Sequence, residues 1–159
     1  MILDKRTEFA DAVSVAATAS TINVGNIIDL GANHRDIGKG KPPTYLVITV
    51  DTEIITGGSA GTIQFLLVSD ATDTIATDGS ATVHFASKAF VTDDSAANDA
   101  QMNIGGVPVC VALPSEGPVY ERYLAVQAVI GTTTTTAGKV NAFLTMDPTP
   151  WLAYKSGLQ

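Results

Sequence analysis

The sequence predicts an all-β fold, an antiparallel β-sandwich of seven to eight strands. Three observations carry this reading. Threonine, valine, alanine and glycine dominate, and charged side chains make up only 16% of the 159 residues, against ~25% in an average domain. The strong helix formers Lys, Glu and Gln are therefore scarce, and the balance tips toward strands and turns. Short apolar runs recur with turn signals between them at intervals of roughly ten residues, and no strand–helix–strand spacing interrupts them. At 16.4 kDa the chain reads as one domain, large enough to build a core without staples.

Taken in order, residues 1–20 read as an N-terminal arm. A charged start is followed by an Ala/Ser/Thr/Val stretch whose Ser14, Val15, Thr18 and Ser20 weaken any helix, so an extended segment lying along another surface competes with a short helix. Strand signals begin at Thr21-Ile-Asn-Val and continue through Asn26-Ile-Ile-Asp-Leu, with Gly25 as a candidate bulge between them. A polar Gly/Pro loop from Gly31 to Pro43 exposes Arg35, Lys39 and Lys41 together. Thr44–Ile55 and Thr62–Ser69 are strands joined by the turn Gly57-Gly-Ser-Ala-Gly, which suggests a hairpin. A turn-rich loop, Asp70–Ser80, carries one apolar bump at Ile75-Ala76. One bent strand or two short ones follow between Ala81 and Thr92, and then an acidic, alanine-rich stretch, Asp93–Asn103, with room for one helical turn. Val107–Leu113 is a strand whose Pro108 belongs at an edge or a bulge.

The most apolar part is Tyr120–Asp147. Its first run, through Ile130, is apolar on both alternating faces, as expected of a strand covered on both sides or central in a sheet. The second, Val140–Met146, alternates more openly. Five threonines, Thr132–Thr136, separate them. The pair reads as a long hairpin at the middle of the sandwich. For eight strands the best-fitting architecture is a jelly roll, in which neighbours in the chain often lie in opposite sheets, and Thr132–Thr136 then becomes a crossing from one sheet to the other. The sandwich is expected over 21–147, and a proline-led tail over 148–159.

Net charge is −7, unevenly spread. Residues 1–41 hold five basic and five acidic side chains, 42–121 hold one basic and ten acidic, and 122–159 hold three basic and one acidic. An acidic middle argues against nucleic-acid binding, which needs a basic stripe to displace counterions. The single cysteine, Cys110, excludes an internal disulfide. The charged N-terminus lacks the apolar segment of a signal peptide, and no run approaches a membrane span, so the expected product is made in the cytoplasm and does not enter a membrane.

Residues of catalytic type do not assemble into motifs. His34 and His84 have no Cys or His partner at metal-ligand spacing. Asp70, Asp73 and Asp78, like Asp93, Asp94 and Asp99, lack the alternating pattern and central glycine that close around calcium. The glycine-flanked Ser59 sits in a turn between strands rather than at a strand-to-helix elbow. Cys110 alternates with Val109 and Val111, as a buried structural thiol does. No metal, cofactor or catalytic site is predicted. Trp151 and Tyr154 in the tail either cap their own sandwich or anchor a neighbouring subunit, since aromatics of this kind dominate interfaces.

The opening Met-Ile-Leu-Asp-Lys-Arg-Thr-Glu-Phe-Ala-Asp-Ala, the Asn26-Ile-Ile-Asp-Leu-Gly segment, and the strands Thr44-Tyr-Leu-Val-Ile-Thr-Val, Gln64-Phe-Leu-Leu-Val-Ser-Asp and Arg122-Tyr-Leu-Ala-Val-Gln resemble tailed-bacteriophage capsid cement (decoration) proteins of the Bordetella-phage type. The resemblance spans most of the chain and stops before the tail beyond Pro148. It implies a jelly roll without enzymatic activity, carried on the outer surface of the virion. Its partners would be the major capsid protein and further copies of itself, as a dimer or trimer. The residues expected at such contacts are Ile2, Leu3, Lys5, Arg6 and Phe9 of the arm, Arg35, Lys39 and Lys41 of the basic loop, and Trp151 and Tyr154 of the tail. Removing residues 1–11 is then expected to weaken head binding or oligomerisation and leave the domain folded. A carbohydrate- or receptor-binding sandwich is the alternative, but it would need exposed aromatics on one face, and aromatics are only 6% of the chain.

Overall fold

The computed structural model describes residues 4–32, 37, 42–58, 60–93 and 98–151. Ten strands form among them: β1 (Glu8–Ser14), β2 (Thr21–Asn23), β3 (Ile28–Asp29), β4 (Tyr45–Thr56), β5 (Thr62–Asp70), β6 (Thr82–Ala86), β7 (Phe90–Val91), β8 (Val109–Ala112), β9 (Tyr123–Gly131) and β10 (Thr135–Thr145). Two antiparallel sheets pack face to face. One has the order β1-β10-β4-β8. The other has the order β2-β9-β5-β6, with β3 also pairing β9 and β7 also pairing β5.

The chain passes from one sheet to the other at each step except β5 to β6, which are neighbours, and β2 with β3, and β6 with β7, share single positions. The ten strands thus occupy the eight positions of a jelly roll. The expected sandwich is present. Neither expected hairpin is. β4 and β5 lie in opposite sheets, as do β9 and β10, so 57–61 and 132–134 are crossings. The stronger pairings are β4 with β10, through Leu46↔Leu144, Ile48↔Ala142 and Val50↔Val140, and β5 with β9, through Phe65↔Ala128 and Leu67↔Val126. Period-two alternation shows which residues share a face, but it does not choose the partner strand.

The inner faces meet in one core that includes Phe9, Leu46, Ile48, Ile54, Ile63, Phe65, Leu67, Leu124 and Val126, all fully buried. The N-terminal arm is part of this core. β1 runs along β10, and Phe9 and Ala10 are buried, so residues 8–14 belong to the sandwich rather than to a free arm. Gly25, at φ +74°, separates β2 from β3, and both lie on β9. It therefore breaks the strand as the sequence suggests. Pro108 immediately precedes edge strand β8.

β9 is apolar on both sides because it is central and also covered. Residues 71–81 fold over the outer face of its sheet, placing Ile75 and Ala81 on Val68 and Ala125. Buried Gln127 fixes that cover through its side-chain amide, which donates to the Ala76 carbonyl (2.8 Å) and to Asn23 Oδ1 (2.9 Å). Asn23 in turn donates to the Ile75 carbonyl (3.0 Å).

Candidate interaction surfaces

Among the described residues the expected contact residues fall into three groups. Lys5 and Arg6 lie in a 3-10 turn, Lys5–Thr7, capped by Asp4, whose carboxylate accepts the Arg6 N–H at 3.0 Å. Both line a recess of about 430 Å³ with Glu8, Asn26, Ile27, Ile28 and Asp29. At its rim Asp29 is held by a two-pronged ion pair from Arg122, Nε to Oδ1 and Nη2 to Oδ2, each 2.9 Å. These bonds, with a further one from the Gly31 N–H (2.8 Å), lower the Asp29 pKa from 3.8 to about 2.

Trp151 forms the second group. It ends a 3-10 turn, Thr149–Trp151, and tilts across Phe143 with ring centroids 4.8 Å apart. Phe143 and Val47 lie opposite each other on the outer face of the β1-β10-β4-β8 sheet, and both are buried. Trp151 itself is half-buried and borders two recesses, one reaching Glu8, Asp11 and Asp51, the other Gln101, Val107 and Pro150. It packs on its own sandwich and keeps part of its ring at the surface.

Phe9 is a correction. It is fully buried, because β1 turns it inward, so it is not available to a partner. Ile2, Leu3, Arg35, Lys39, Lys41 and Tyr154 lie outside the described residues, as do His34, Ser59 and Asp94.

The acidic loops serve their own turns. Asp70 accepts from the Thr72 N–H and hydroxyl, and Asp78 from those of Ser80; both carboxyls are lowered by these bonds. Asp99 pairs with Lys88 at 3.1 Å and accepts the Val91 N–H. Among the described residues no three His, Cys, Asp or Glu side chains converge as a metal site would require. Cys110 lies on β8 opposite Val47 and is half-buried, with its thiol pKa raised by burial, which suppresses the nucleophilic thiolate.

A scan of family models places the whole sandwich. The Bbp16 model matches residues 9–144, from the second residue of β1 to the last but one of β10. The chain belongs to the Bbp16 family. This is a Bordetella phage protein family. No curated protein matches the chain. Within this Bbp16-family protein, Lys5, Arg6 and Trp151 all stand outside the matched span, while Phe9 opens it.

One polar cluster has no counterpart in the sequence reading. His84, which carries no pattern of its own, bonds Ser69 and stacks on Tyr120 at one end of the Bbp16-family sandwich, and Ser69 in turn accepts the Glu121 N–H. The register shift that brings His84 there, and the approach of residues far along the chain, leave no local signal.

Proposed function

We propose that this Bbp16-family protein is a structural virion component and not an enzyme. It binds the outside of an assembled phage capsid as a homo-oligomer and stabilises the shell by bridging neighbouring major capsid protein subunits. The observation that carries this reading is the family match across both sheets of the sandwich. The physical character of the domain supports it. A stiff two-sheet core loses little conformational entropy on docking. The exposed Lys5 and Arg6 and the half-buried Trp151 ring sit at the margins of that core, placed to make contacts.

The mechanism is mass action. A protein that binds the closed lattice and not free subunits stabilises the lattice by RT ln(1 + [L]/Kd) per site, about 2.7 kcal/mol when free protein is at one hundred times Kd. An oligomer that touches several capsomers gains further through effective concentration. Each contact can therefore be modest, on the order of 800 Å² per partner.

The test is sedimentation of the purified protein with phage heads that lack it, alongside soluble major capsid protein. The protein is expected to pellet with heads, to raise the temperature at which they open, and to ignore unassembled subunits. Heads that neither retain it nor gain heat resistance would overturn the proposal.

A further inference from the structure

At one end of the sandwich a polar network ties β5 and β6 to the connection running from Leu113 to Arg122. β6 is bulged there. Leu67 of β5 faces Phe85 and Val68 faces Val83, so His84 is the extra residue on its strand, and a bulge re-aims its side chain relative to the ladder. The His84 ring stacks on Tyr120 with centroids 3.9 Å apart and planes within 15°. Its Nε2 lies 2.7 Å from Ser69 Oγ. Ser69 is fully buried, accepts the Glu121 N–H at 3.1 Å and sits 3.5 Å from Glu121 Oε2. Tyr120 donates its hydroxyl to the Pro114 carbonyl at 3.0 Å and so closes the connection on itself.

The serine hydroxyl owns one proton. In the Nδ1–H tautomer of neutral His84, Ser69 donates that proton to Nε2 at 2.7 Å, a far shorter contact than its 3.5 Å to Glu121 Oε2, and accepts from the Glu121 amide. When His84 gains a proton, Nε2 becomes a donor. Ser69 must then accept twice and turn its own proton toward Glu121 Oε2, at the limit of a useful hydrogen bond. The new charge is also half-buried against Tyr120.

We propose that His84 is an acid-sensitive latch, whose protonation releases the Leu113–Arg122 connection from β5 and β6. Among the described residues the groups facing the ring are few. The connection presents Tyr120 and Glu121, β5 presents the Ser69 hydroxyl, and β6 has no second titratable side chain. In the loop before β6, Asp70 and Asp78 are turned into their own loops, and Asp73 accepts from Thr74. Burial disfavours the imidazolium more than the Glu121 charge favours it, so the His84 pKa lies below the ordinary 6.5. The latch therefore holds fully above pH 6.5 and loosens as pH falls through the lower folded value. The connection it frees carries Val119, already 70% exposed.

Amide hydrogen exchange on the full chain, corrected for intrinsic rates between pH 7.5 and 5, tests the latch. The amides of Glu121 and β6 are expected to lose protection on the acid side, while those of β4 and β10 do not. The limiting loss is tenfold for each unit separating the folded and unfolded histidine pKa values. His84→Gln should abolish the pH dependence. Glu121→Gln, which keeps the backbone donor but removes the charge, should move the His84 ring titration, followed by NMR, further down. The latch is overturned if the ring titrates at or above 6.5, if the corner opens equally in His84→Gln, or if Glu121→Gln raises the midpoint. The ring titration of the native chain and of Glu121→Gln decides the matter even should His84→Gln fail to fold.

Discussion

Phe9→Ala distinguishes a core strand from a free arm. Phe9 has no exposed surface, and its ring fills the centre of the sandwich from β1. Truncating a buried phenylalanine costs about 3–5 kcal/mol, from lost transfer energy and the cavity left behind. For a chain of this length each kcal/mol lowers Tm by about 2–4 °C, so the melting point should drop by about 6–20 °C. Lys5→Ala, four residues earlier and at the surface, should stay within about 0.5 kcal/mol of the parent. Urea unfolding followed by far-UV circular dichroism and by the fluorescence of Trp151, the only tryptophan, measures both. The urea m-value should be unchanged, because the surface exposed on unfolding hardly alters. A loss below about 1 kcal/mol with an unchanged m-value would refute the placement of β1 in the core. The same burial means that deleting residues 1–11 removes Phe9 and Ala10 and damages the fold itself. Deleting residues 1–7 is the cleaner test of whether the N-terminus contributes to the proposed capsid binding.

Two further substitutions probe local features. Asp29 is held near pKa 2 against an ordinary 3.8, so the stability it contributes is complete above 3.8 and lost as pH falls toward 2; Asp29→Asn should flatten that part of the acid limb in urea midpoints taken between pH 5 and 2, and an unaltered slope would count against the Arg122 pair. Gly25 combines φ +74° with a site where a Cβ would run into the Phe9 carbonyl, which also accepts the Asn26 N–H at 2.6 Å. Gly25→Ala should therefore cost well over the ~1 kcal/mol of a left-handed backbone alone, whereas Gly79→Ala, at φ +91° with open space around it, should cost about that and no more; equal losses in thermal melts would refute the clash.

Much of the fold is legible because its signals are local. The runs that become β4, β5, β9 and β10 stand out by composition and alternation, and Gly25 and Pro108 mark a break and an edge. Pairing is not local. β4 finds β10 and β5 finds β9 across long loops, and a short connection such as Gly57–Gly61 looks the same whether it turns within a sheet or crosses between sheets. β1 was hidden for another reason. Its alternation is spoiled by register shifts near Ala10 and by Ala12 at φ +49°, whose N–H donates to Asn141 Oδ1 at 2.7 Å. At the surface, Lys5, Arg6 and Trp151 follow from charge and aromaticity alone. The Ser69–His84–Glu121 network does not, because it depends on one extra residue in β6 and on a contact 52 positions away.

The sheet edges constrain how such a protein can hold another. Exposed strand edges invite pairing with a second chain, and proteins blunt them with bulges, breaks, prolines and short strands. All four edge positions here carry such a device. β1 is distorted at Ala12, and β8 is four residues long with Pro108 just before it. β2 and β3 are parted at Gly25, while β6 is bulged at His84 and separated from β7. One of the two broad faces is closed as well, by residues 71–81 lying on Val68 and Ala125. Growth by strand addition is thus opposed at every edge. Among the described residues, the surfaces left for a partner are the sandwich ends and the outer face of the β1-β10-β4-β8 sheet, where Trp151 sits. Contacts of that kind fix a finite set of neighbours rather than an open-ended sheet, and bridging a closed shell requires just such a finite set.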